Sequence, residues 1–114
     1  MSVRKSLRPG WRAIVAASLL AWFAHPAVAQ MSPEAQRGLT YVRTYCVQCH
    51  SIDKVTASTL RVAPPLRELH KRYPVENLAE SLAEGIRTGH PSMPEYQLDP
   101  GQVGDVIAYL KTLE

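Results

Sequence analysis

The sequence predicts an all-α domain of three main helices. Apolar residues recur at spacings of three and four in three stretches, and no stretch shows the alternation of a strand. Two of these stretches also open on a capping residue followed directly by proline, Ser32-Pro33 and Asp99-Pro100. With 114 residues the chain holds one small domain, which excludes a multidomain enzyme.

The first helix is expected from about Pro33 to Tyr45. Ser32 caps it, Pro33 takes the first position, Glu34 supplies an acid to the first turn, and Leu39, Val42 and Cys46 share one face. From Ser51 to Ala63 no period is sustained, and Pro64-Pro65 stops any helix, so this stretch is a loop. A second amphipathic segment follows Pro74, with Val75, Leu78, Ala79, Leu82 and Ile86 on one side and Glu76, Glu80 and Glu84 on the other; its stop is expected near Thr88-Gly89. The third helix has Asp99 as cap, Pro100 at the first position and Gln102 where a capping-box partner belongs. Its buried stripe is Val103, Val106, Ile107, Leu110 and Leu113. Between the last two helices, Gly89 to Tyr96 forms a loop shaped by Pro91 and Pro94.

The chain has 13 basic and 10 acidic residues, but Arg4, Lys5, Arg8 and Arg12 precede any acid. From Gln30 onward the count is nine basic against ten acidic, which argues against a nucleic-acid partner. The basic excess belongs to a leader: a cationic start, an apolar run from Ala13 to Ala24, and Ala27-Val28-Ala29 before Gln30. This pattern is that of a secretory signal peptide over residues 1–29, followed by a mature domain over residues 30–114. The apolar run is about a dozen residues where a membrane-spanning helix needs roughly 20. No stable membrane span is therefore expected after cleavage.

Cleavage also removes both Trp residues and the one Phe, leaving 34 apolar residues among 85. A core so small needs volume from elsewhere. A disulfide between Cys46 and Cys49 would close a tiny loop and restrict the unfolded chain little. Cys46-Val47-Gln48-Cys49-His50 is instead the attachment signal of c-type haem. Two thiols a helical turn apart each add to one vinyl group of the porphyrin, and the imidazole of the next residue reaches the iron from the same side. Zinc would want four ligands, and past the leader only His50, His70 and His90 add to the two thiols. A thioredoxin-like pair would sit in a βαβ setting, which is missing here.

Gly38 eight residues before Cys46, the C-x-x-C-H run, Pro64-Pro65-Leu66, Met93-Pro94 and a terminal helix bearing Tyr109 together make the chain resemble the small soluble class I cytochromes c, over about Glu34 to Leu113. The resemblance implies a cytochrome c-like fold, three helices packed around one covalently attached haem c. It implies that Gly38 lets the first helix cross closely against the last near Tyr109. It also implies that the Pro64 carbonyl accepts the hydrogen bond of the second ring nitrogen of His50, and that Leu66 packs on the haem. Ser51 stands where the family usually has a small residue, a departure that leaves ligation untouched.

Met93 is the candidate sixth ligand. It is one of two methionines past the leader, placed between proline-containing turns and away from any helical stripe. Its alternatives are a role as core filler or replacement as ligand by His70 or His90. His70 lies among Arg67, Lys71 and Arg72 and fits a basic surface patch; Arg61, Arg67 or Arg72 could equally neutralise haem propionates. The expected protein is a periplasmic, monomeric cytochrome with a His50/Met93-ligated haem. It is not an enzyme, and passes single electrons between a protein donor and acceptor such as a dehydrogenase, oxidase or reductase. A dedicated haem subunit of a periplasmic dehydrogenase is one alternative. A gas-binding or peroxidatic haem protein is the other, if Met93 is not a ligand.

Overall fold

A computed structural model of the chain describes residue 1, residues 29–85 and residues 92–114. It divides into two units, Met1–Gln30 and Met31–Glu114, and the description that follows is of the second. The expected leader lies almost entirely outside the described residues, as do Ile86, Thr88, Gly89, His90 and Pro91. Among the described residues there are helices and no strands.

Helix α1 spans Pro33–Tyr45, starting where the Ser32 hydroxyl accepts the Ala35 amide at 3.2 Å. Helix α3 spans Pro100–Lys111 behind a complete capping box: the Asp99 carboxylate accepts the Gln102 amide at 2.9 Å, and the Asp99 amide donates to the Gln102 side chain at 3.2 Å. Two orphan donors are satisfied reciprocally, which fixes the first turn of α3.

The second helical segment departs from the expected one. Pro74 has no side-chain acceptor for the first amides, so the segment opens with a tight 3₁₀ turn, Val75–Asn77, before α2 at Leu78–Glu84. It stops at Gly85, whose φ of +98° is closed to most side chains, so the described helix ends short of Thr88-Gly89. A further 3₁₀ helix, Leu66–Lys71, follows Pro64-Pro65, between the expected loop and the expected second helix.

The core gathers Val42, Ile52, Leu66, Leu69, Val75 and Leu98 against the α3 stripe of Val103, Val106, Tyr109 and Leu110, with Leu113 added from the turn that follows the helix. Ile107, expected in that stripe, is half-buried at its edge. In α2 no residue is fully buried; Leu78, Ala79 and Leu82 pack partly against the core.

The dominant contact is α1 against α3. It centres on Gly38, where a β-carbon would stand 2.6 Å from the Asp105 carbonyl carbon and 2.9 Å from Tyr109 Cβ. Beside it, Arg37 donates to both Asp105 carboxylate oxygens at 2.8 and 2.7 Å and holds that carboxyl below its usual range. This exposed pair steers register more than it stabilises. Tyr109 is buried, and its hydroxyl donates to the Ile52 carbonyl at 2.5 Å, joining α3 to the loop behind α1.

Gly38→Ala should destabilise the fold by about 1–3 kcal/mol, because the clash at the crossing outweighs the better helix propensity of alanine. Denaturant unfolding of the holoprotein would show a lower midpoint at an unchanged slope.

Candidate functional site

Helix α1 delivers its last turn into a short irregular stretch. The amides of Cys49 and His50 both donate to the Cys46 carbonyl, at 3.2 and 2.9 Å, so the two thiols and the imidazole sit on one compact turn. Both cysteines are free thiols and half-buried. Burial, and to a lesser degree the nearby Cys49, pushes the unmodified Cys46 thiol up to about 11, because the apolar core beside it disfavours the charged form.

His50 is buried, with Nδ1 2.7 Å from the Pro64 carbonyl oxygen. A carbonyl only accepts, so Nδ1 carries the proton and, in the neutral ring, Nε2 keeps the lone pair. The segment holding that carbonyl is fixed in turn: the Leu66 amide donates to the Ser51 carbonyl at 2.9 Å, and the Leu60 amide to the Cys49 carbonyl at 3.0 Å.

These residues line a cavity of about 420 Å³, within the range of sites that enclose a sizeable organic ligand. Cys46, Cys49, His50, Pro64 and Leu66 form part of its wall, and Met93 lines it from the segment before α3. The six residues singled out in the sequence thus meet in one place. Much of the remaining wall is apolar, including Val42, Leu69, Leu82 and Val106. His70, the rival ligand, is exposed and does not line the cavity; His90 lies outside the described residues.

The structure also separates the three arginines. Arg72 is the one cationic side chain of the described wall, next to Tyr73. Arg61 is exposed. Arg67 donates to the Ser51 hydroxyl and to the Asp53 and Thr56 carbonyls, so it serves the loop after His50. Sequence reasoning grouped all three as one basic segment. The Asp53-x-x-Thr56 spacing of an Asx-type turn was the available signal for the loop that Arg67 serves.

The cytochrome c family model matches residues 35–114. This chain belongs to the cytochrome c family. A cytochrome c-552 of Bradyrhizobium diazoefficiens is 25% identical over 83 residues, covering 73% of this chain and 78% of that protein. No solved structure matches the chain. Membership makes the protein a small class I c-type cytochrome with a covalently bound haem c and a role in electron transport. The cavity fits that group: it is roomy, mostly apolar, and carries two free thiols on one turn beside an imidazole with a lone pair. Members of this family typically carry electrons between proteins. No helix among the described residues is long and apolar enough to cross a membrane.

One acid titration follows from the loop behind His50. The Thr56 amide and hydroxyl, then the Val55 amide, hydrogen-bond the Asp53 carboxylate and hold it down from 3.8 to about 2. A depressed carboxylate stabilises the folded loop fully above its unfolded value and loses that contribution as pH falls through its folded one. The Thr56 amide signal of the holoprotein should therefore titrate with a midpoint near 2, and Asp53→Asn should abolish that titration.

Proposed function

We propose that this chain is an exported, periplasmic monohaem cytochrome c that carries single electrons between protein redox partners, with His50 and Met93 as the axial ligands of its iron. The observation that carries the reading is that one cavity is lined by two free thiols, by an imidazole whose Nδ1 faces a carbonyl, and by a methionine from a separate segment.

When bound, the haem supplies a one-electron iron couple. Cys46 and Cys49 hold it through thioether bonds. The Pro64 carbonyl orients His50 by accepting from Nδ1, which leaves Nε2 for the metal and makes it a better donor. Leu66, which lines the cavity, would pack against the bound group, and the Met93 thioether would raise its potential relative to a second imidazole. With His50 and Met93 both holding the iron, the group would offer no place for oxygen or peroxide to bind. Arg72, the cation of the described wall, provides countercharge for the carboxylates of the group.

Residues 1–29 serve as a signal peptide and residues 30–114 form the mature domain, a monomer whose nine basic and ten acidic residues give no reason to seek nucleic acid. Its partners are a protein donor and a protein acceptor.

Met93→Ala should keep the haem attached, lower the potential by on the order of 0.1 V within the roughly 0.8 V that axial ligation spans, and admit carbon monoxide to the reduced form. Unchanged potential and unchanged ligand binding would show that Met93 is not the ligand. Replacing both cysteines, Cys46→Ala with Cys49→Ala, should leave a secreted chain whose mass lacks the porphyrin and whose helical circular dichroism is mostly lost. A well-folded colourless domain would mean that the cofactor is no part of its core.

A further inference from the structure

Behind the cavity wall, a chain of polar side chains runs in one direction. Thr56 Oγ1 donates to Asp53 Oδ2 at 2.7 Å, which uses its single proton. In the 3.0 Å contact between the hydroxyls of Ser51 and Thr56, Ser51 must therefore be the donor. The Ser51 hydroxyl in turn accepts from Arg67 Nη1 at 3.0 Å. The order is Arg67 to Ser51 to Thr56 to Asp53, from a cation to a carboxylate through two hydroxyls. Both ends are charge-assisted, and such chains polarise cooperatively.

The same Nη1 also reaches the Thr56 carbonyl at 2.7 Å and the Asp53 carbonyl at 3.2 Å. Ser51, the residue after His50, is 3% exposed, and every polar atom it has is engaged. Its amide donates to the Ser58 hydroxyl at 3.0 Å, and its carbonyl accepts from Leu66 at 2.9 Å. Arg67 sits three residues beyond Pro64, whose carbonyl faces His50 Nδ1. One guanidinium thus ties the segment bearing the imidazole to the segment bearing its acceptor.

We propose that Arg67 is a positioning residue for His50, acting through Ser51 and the 53–56 turn to hold the imidazole tightly against the Pro64 carbonyl. This rests on His50 being an axial ligand. The hydrogen bond at the far nitrogen sets how strongly the near one donates to a metal. Loosening the clamp makes His50 a poorer donor, stabilises ferric iron less and raises the potential. Losing a nearby positive charge would act in the opposite sense and lower it. Arg67→Lys keeps the charge but its nitrogen stops one bond short of the Nη1 that makes all three contacts, and Ser51→Ala keeps the charge but cuts the relay.

The test measures the reduction potential and the paramagnetically shifted His50 ring-proton signals of the holoprotein for both variants. Positioning requires that both variants raise the potential, displace the His50 signals and speed exchange of the Leu66 amide roughly tenfold, with haem content unchanged. A wild-type potential and wild-type His50 signals in either variant, with only the melting temperature lowered, would reduce the clamp to a loop staple and overturn the proposal. If Arg67→Lys fails to fold, Ser51→Ala and Thr56→Val, which breaks the relay at its middle, decide the matter by the same readouts. Absence of shifted His50 signals in the wild-type protein would instead refute ligation by His50 itself, and the proposal with it.

Discussion

Helices α1 and α3 meet backbone to backbone because residue 38 carries no side chain of its own. The crossing has consequences well beyond local packing. It brings the end of α1, and so Cys46, Cys49 and His50, to the cavity that Val106 and Leu110 also line. It brings Tyr109 within reach of the Ile52 carbonyl, which anchors the loop that follows His50. A domain with so few large apolar residues has little redundancy in its core, so one close approach governs where the functional turn arrives.

Around the cavity, the two sides are built differently. The His50 side is dense in hydrogen bonds: the imidazole to Pro64, Ser51 to Leu66, Cys49 to Leu60, and the Arg67 chain behind them. The Met93 side is supported over its described length by the Leu98 amide donating to the Leu82 carbonyl at 2.9 Å and by Tyr96 against the end of α1. An imidazole needs its plane and its proton fixed, which takes directional bonds. A thioether is flexible and needs only to be brought near, which a short tethered segment does.

Much of this was legible in the sequence, and for identifiable reasons. Ser32-Pro33 and Asp99-Pro100 mark helix starts because capping and fixed φ are local chemistry, and α1 and α3 begin where those pairs stand. The attachment run and Met93 stand out as residue types that apolar periodicity does not explain, and the fold gathers them at one cavity. The rest depends on distance along the chain. The 3₁₀ helix at Leu66–Lys71 is too short to print a period. Gly85 competes with Gly89 as a stop, and only its backbone angle settles that α2 ends there. Arg67, Arg72 and Arg61 look alike in a basic stretch, yet the acceptors of Arg67 lie 11 to 16 residues away. No local rule reaches that far.

The last residue of α1 has a double engagement. Tyr45 precedes Cys46, and its carbonyl accepts the long 3.4 Å hydrogen bond of the Tyr96 hydroxyl, with the two rings 5.9 Å apart. Tyr96 is three residues from Met93. The end of the helix that leads into the thiol-bearing turn is thus in direct contact with the segment that carries the methionine, through one hydrogen bond and one pair of rings. Two stretches of chain 51 residues apart therefore meet beside the cavity that both of them line.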